Sequence, residues 1–261
     1  TTGAPVAMLV PNRDSRLDDL EATPPVHRPR PGHADLAGAA KYGTDDCRNV
    51  LERASARQTA ARTAAGALAS CMLSELGIRV VGYVTAMRDA IVDLDITSEN
   101  LDEITASRDA SSMYCPDAAA TAAMEAFVRE AKESKDTVGG LCRVHVLGAP
   151  MGIGTCMIRS GGLDARLAAA VMSIQAFKSV EIGLGRAVAE RWGSDVHDAI
   201  SFDPSAEGTP SRGFVRETNH AGGIEGGMSN GQPIVVTGAM KPISTLLRGM
   251  SSVNLQTKQP E

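Results

Sequence analysis

The sequence predicts an α+β protein folded as one domain, and three observations carry that reading. Alanine-rich helical segments and β-rich segments alternate along the chain, with neither type confined to one end. No stretch of 20 to 50 residues repeats, so a solenoid or propeller is not expected. The 261 residues are 43% hydrophobic and 22% charged, enough apolar material for one sizeable core.

Taken in order, residues 4–10 (APVAMLV) read as a strand, followed by a charged loop through NRDSRLDDLEATPP. Residues 50–76 are rich in Ala and Leu and free of Pro, which predicts a long helix ending at Gly77, its alanine face suited to close packing. IRVVGYVT reads as a strand. PDAAATAAMEAFVREAKES reads as a helix opened by Pro116 and Asp117. GGLCRVHVLGAP is a further strand, and LDARLAAAVMSIQAFKSVEIGLG contains an amphipathic helix. GRAVAERWGSDVHDAI adds a short second helix. Residues 201–231 are rich in Gly and Ser and read as a long functional loop before the strand QPIVVTGAM.

Composition excludes several functions. Aromatic residues make up 3% of the chain and the formal net charge is -5. A base-stacking platform and a phosphate-coating surface are both unsupported, and no nucleic-acid partner is expected. Five cysteines form no metal-site spacing and read as reduced, mostly buried thiols. No segment is an uncharged apolar run long enough to cross a bilayer, and the first residues do not resemble a signal peptide. The expectation is a cytoplasmic protein with no membrane partner and no metal.

Three segments can carry chemistry. RPRPGHAD (residues 28–35) places Arg28, Arg30, His33 and Asp35 around a proline–glycine turn, suited to anion binding and proton transfer near neutral pH. Its alternative is a surface loop with incidental charges. ERASAR (residues 52–57) puts Arg53 and Arg57 four apart, on one helix face, with Ser55 between them. This suits a phosphate, or else a solvated helix end with an ion pair. NHAGGIEGGMSNG (residues 219–231) and AMKPIST (residues 239–245) combine close-approach glycines with Lys241, Ser244 and Thr245. A glycine-rich hairpin and a Lys–Pro turn would look the same. Gly152 and Gly154 lack the third glycine of a dinucleotide fingerprint, and no P-loop, GxSxG or HExxH pattern is present. His27, His145, His197 and His220 show no ligand spacing, and Met172 reads as core filler.

Read together and in order, RPGHAD, the following KYG, ERASARQTAARTAAGAL, LDARLAAAVMSIQAFKSVEIG, TNHAGGIEGGMSNGQPIVV and AMKPIST resemble the motifs of the chorismate synthase family. The resemblance covers most of the chain. It implies an α+β fold with helices packed between antiparallel sheets in a β-α-β sandwich, assembled as a homotetramer. It also implies an anti 1,4-elimination of phosphate from 5-enolpyruvylshikimate 3-phosphate to give chorismate, dependent on reduced FMN without net redox change. The flavin would be reduced by an external flavin reductase or by an intrinsic NADPH-dependent activity; the sequence leaves both open.

Carried over by position, the resemblance makes His33 the catalytic group that balances the reduced flavin, with Arg30 and Arg57 on the substrate. Arg53, Ala54, Ser55, Gln175, Ala176, Gly226, Lys241, Pro242, Ile243, Ser244 and Thr245 become flavin contacts. Asn219 and Asn230 lie within the matched loop, and Asp35 orients the turn. The sequence departs from the family pattern in four places: it has no GESHG-type segment, no R-x-D motif after KPIST, GIGTCMIRSGGLDAR where the family usually has an SH-containing stretch and WDR, and SV where GV normally precedes EIG. The expectation is a single chorismate synthase domain over residues 1–261, lacking both flanking segments and of low activity. The alternative is a noncatalytic flavin-binding relic or an assembly partner of intact subunits.

Overall fold

A computed structural model of the chain describes residues 3–12, 19–54 and 58–261. They divide into two compact units. The first comprises Thr1–Ala69, Ser134–Thr137 and Ile243–Glu261; the second comprises Ser70–Glu133 and Val138–Pro242.

The first unit holds helices α1 (Asp35–Tyr42) and α2 (Arg48–Ala54) and the start of α3 (Thr59–Glu75), within which the division falls. Gly43 closes α1 in the left-handed conformation, donating its N–H to the Ala39 carbonyl. The predicted helix over 50–76 is represented by α2 and α3, with residues 55–57 outside the described residues. The expected close packing of its alanine face is not seen, since α3 has no buried residue. Residues 4–10 do not form the predicted strand: 3–12 carry no ladder, and Val6 and Leu9 are exposed. A strand exists only where a neighbour takes up its backbone groups, and composition does not report the neighbour.

The second unit is built on one antiparallel five-stranded sheet of order β2-β1-β3-β9-β4. Its strands are β1 (Arg79–Met87), β2 (Ala90–Ile91), β3 (Gly140–Leu147), β4 (Phe177–Ile182) and β9 (Ile234–Met240). The β-branched runs VVGYV, RVHV and IVV explain three of them. Helices α4 (Leu101–Ala110), α5 (Ala118–Glu133) and α6 (Leu163–Met172) supply apolar stripes. Leu163, Leu167 and Val171 of α6, each four apart, pack on Val146, Val180, Ile182, Ile234 and Val236. Leu101 and Ile104 of α4 pack on Val81, Tyr83 and Leu147, which point to the opposite face of the sheet. Met124 of α5, fully buried, lies with Met87, Val92 and Cys115. A fully buried side chain of this size is worth about 1.5–3 kcal/mol.

The structure refines four further expectations. The short helix after Gly185 is instead 3-10 turns at Gly185–Glu190 and Gly193–Asp195, which fits a segment interrupted by glycine. The loop over 201–231 contains two small hairpins, β5 (Ile200–Phe202) with β6 (Phe214–Arg216) and β7 (Ile224–Glu225) with β8 (Met228–Ser229). Cysteines are less buried than expected: Cys47 and Cys115 are buried, Cys142 is partly so, and Cys71 and Cys156 are exposed. Met172 is exposed at the end of α6 and fills no core.

Candidate active site

In the first unit the RPGH segment is a β-turn. His33 donates its N–H to the Arg30 carbonyl at 3.2 Å, with Pro31 and Gly32 at the corners. Gly32 has φ +76°, the conformation a type II turn asks of its third residue. The turn delivers the chain into α1, whose first residue, Asp35, is 1% exposed. The Asp35 carboxylate accepts the Arg30 backbone N–H at 3.0 Å and the Arg30 Nε–H at 2.9 Å, and lies 2.5 Å from His33 Nδ1. Burial alone would raise the Asp35 carboxyl. The hydrogen bonds from Arg30 and His33, with the Arg30 charge, outweigh it and hold the group below its ordinary value.

The KPIST segment reaches this turn from the far end of the sequence. Arg30 Nη1 donates to Thr245 Oγ1 at 3.0 Å, and Ser244 Oγ donates to the Gly32 carbonyl at 3.0 Å. Ser252 Oγ donates to the Pro29 carbonyl at 2.5 Å, and the Leu255 N–H to that of His27 at 2.9 Å. The Ile243 carbonyl accepts from Thr137 Oγ1 at 2.7 Å, leaving its side chain exposed. Arg53 and Ala54 close α2, the Arg53 side chain exposed. Ser55 and Arg57 lie outside the described residues.

In the second unit Gln175, Ala176, Lys241 and Pro242 come together where β4 and β9 begin and end. Ala176 has φ +72°, a conformation an alanine adopts only under constraint, and its carbonyl accepts the Lys241 N–H at 3.0 Å. Gln175 Oε1 is buried and has no donor among the described residues. Gly226 and Gly227 form the two-residue turn of the β7–β8 hairpin with φ +59° and +83°, and none of the described residues lies within 4 Å of the place a Gly226 side chain would occupy. Asn219 is spent inside its own loop: Oδ1 accepts from the Gly223 N–H at 2.8 Å and Nδ2 donates to the Pro233 carbonyl at 2.8 Å. Asn230 is buried, its Oδ1 accepting from Gln232 N–H at 3.0 Å.

Sequence reasoning missed Asp198. Its side chain is fully buried and accepts Thr218 Oγ1 at 2.5 Å, His220 N–H at 2.8 Å and Ala221 N–H at 2.9 Å. It anchors the start of the glycine-rich loop across 20 residues of sequence, a separation at which no local pattern signals the contact.

The described residues contain no group of three His, Cys, Asp or Glu side chains able to hold a metal ion. In the second unit Gln175 supplies a buried acceptor without a donor among the described residues, and Gly226 an unobstructed backbone, which suit a ligand carrying N–H donors. In the first unit Arg53 is an exposed cation, which suits an anionic group.

Among solved structures the fold is similar to a crystal structure of chorismate synthase, with a TM-score of 0.73 and 40% identity over 80% of this chain and 63% of that one. The class so defined is that of the α+β lyases with an antiparallel sheet. The family model described as chorismate synthase matches residues 1–261. The chain belongs to the chorismate synthase family. Similar relatives include chorismate synthase 1 of Bacillus cereus, 45% identical over all of this chain and 68% of the relative. Chorismate synthases of Lysinibacillus sphaericus and Desulforamulus reducens match at the same identity and coverage.

Proposed function

We propose that the protein catalyses the reaction of its family, loss of phosphate from 5-enolpyruvylshikimate 3-phosphate to form chorismate in the shikimate pathway, with reduced FMN as cofactor. The observation that carries this reading is the Arg30–His33–Asp35 cluster, a cation and a proton-exchanging ring locked on a buried carboxylate at the turn. Reduced FMN, when bound, supplies electron density that helps the phosphate leave and recovers it as the ring hydrogen departs.

The chain's own residues do the rest. Arg30 presents a permanent positive charge toward the anionic substrate and the departing phosphate. His33 exchanges a proton and balances the negative charge of the reduced cofactor. By the family resemblance, Arg53, Ala54, Ser55, Gln175, Ala176, Gly226, Lys241, Pro242, Ile243, Ser244 and Thr245 are the flavin contacts, with Arg57 on the substrate. The assembly that accompanies this reading is a homotetramer in the cytoplasm. Support for assembly comes from α3, where Leu68 and Met72, and Leu76 just past its end, are exposed. No helix among the described residues is long and apolar enough to cross a membrane.

The test is an anaerobic titration of the purified chain with reduced FMN, with and without 5-enolpyruvylshikimate 3-phosphate, following flavin absorbance and then chorismate. Flavin binding that tightens with substrate, followed by slow chorismate formation, is the expected result, and robust turnover would overturn the expectation of low activity. Binding without turnover leaves the flavin-binding or assembly role, and no binding at all sinks the proposal.

A further inference from the structure

Both oxygens of Asp35 have assigned donors, and their arrangement fixes a proton. Oδ2 accepts the backbone N–H and the Nε–H of Arg30. Oδ1 accepts Arg30 Nη2–H at 3.2 Å and faces His33 Nδ1 at 2.5 Å. An ionised carboxylate only accepts, so the hydrogen in the His33 contact belongs to Nδ1. Arg30 Nη2, 3.1 Å from the same ring nitrogen, is itself a donor and finds no lone pair there once Nδ1 carries the hydrogen. The other ring nitrogen, Nε2, has no hydrogen-bond partner among the described residues, and the His33 side chain is 19% exposed.

From this geometry we propose that Asp35 is a positioning residue that sets the tautomer of His33, keeping the neutral ring protonated at Nδ1 and presenting a bare Nε2 as its working nitrogen. The functional meaning rests on the proposed role of His33. Nε2 takes up a proton, giving an imidazolium whose charge is met by the Asp35 carboxylate through Nδ1–H, and returns that proton from the same atom. Arg30 is aligned by the same carboxylate, so one buried group orients both the ring and the cation.

Asn at position 35 gives a sharp test, because Arg30 dictates how the amide must lie. The two Arg30 N–H groups facing Oδ2 require an oxygen there. The amide NH2 is then turned toward His33 Nδ1, and two donors cannot face each other, so the ring must move its hydrogen to Nε2.

The experiment is a long-range proton–nitrogen correlation spectrum of the whole chain labelled with nitrogen-15 in its histidine rings, recorded where the His33 ring is neutral. The His33 signals are assigned by their loss in His33→Gln. The expected wild-type pattern is a protonated Nδ1 and a bare Nε2, reversed in Asp35→Asn. A wild-type ring protonated at Nε2, an even mixture, or an unreversed pattern in folded Asp35→Asn overturns the proposal. Should Asp35→Asn fail to fold, the wild-type spectrum alone decides. No flavin or substrate is needed, so a chain that binds no reduced FMN would remove the proposed function and leave the tautomer result standing.

Discussion

His145 sits on β3 at 5% exposure, its ring 5.9 Å from that of Tyr83 and tilted by 22°. Burial, and then the positive charge of Arg143, lower its pKa from 6.5 to about 4, against the opposing pull of Asp95 and Asp93. The unfolded ring therefore gains its proton near pH 6.5 and the folded ring only near pH 4. The stability of the neutral buried ring is complete above pH 6.5 and is lost progressively down to pH 4, on the order of 3 kcal/mol in all. Asp35, Asp46 and Asp198, held below their ordinary 3.8, lose their contributions only as the pH falls through and below that value. Urea midpoints at pH 7 and pH 5 should thus fall for the wild type and change little for His145→Gln; equal falls would refute the assignment. Asp198→Asn leaves amides of His220 and Ala221 facing a group that accepts with only one of its two ends. A loss of about 2–4 kcal/mol is expected from the same measurement, with Thr218→Val milder at about 1 kcal/mol.

Two glycines that share a left-handed conformation separate conformational strain from crowding. A Cβ on Gly183 would meet the His220 carbonyl oxygen at 2.2 Å and the Gly222 nitrogen at 2.5 Å, whereas one on Gly226 meets nothing. Gly226→Ala is expected to cost about 1 kcal/mol and Gly183→Ala about 3 kcal/mol or more, as read from denaturant midpoints. Equal effects would mean that the close approach is not held in solution. The same contrast between local and distant partners decided what the sequence disclosed. β1, β3 and β9 were legible because their β-branched runs are bounded by glycine or proline, and α5 because Asp117 accepts the Ala120 N–H at 2.7 Å as its cap. β4 was hidden inside a segment that begins as a helix, where FKSVEI is too short to declare its own period. Arg30, His33 and Asp35 were legible as a group since they lie within six residues around a Pro–Gly turn. Thr245 was legible as a hydroxyl donor, but its union with Arg30 across 215 residues had no local signal, and neither did Asp198.

Across the whole chain the thiols report how the structure is closed. All five are free, so added reductant should leave the unfolding midpoint unchanged. Native-state labelling with a thiol reagent should modify Cys71 and Cys156 rapidly and Cys142 more slowly. Cys47 and Cys115, 0% and 1% exposed, should react only on unfolding, as peptide mass mapping over time would show. Rapid labelling of Cys115 would contradict the packing of α5 against β1 and β2. The strand order of the sheet bears on a different matter, the birth of the protein on the ribosome. β9 lies between β3 and β4, and among the described residues it is the only strand that pairs with β4. When residues 177–182 emerge from the exit tunnel their partner has not yet been translated. A nascent chain must therefore shelter an apolar, unpaired edge for more than 50 further residues, which makes synthesis the stage at which aggregation competes hardest with folding.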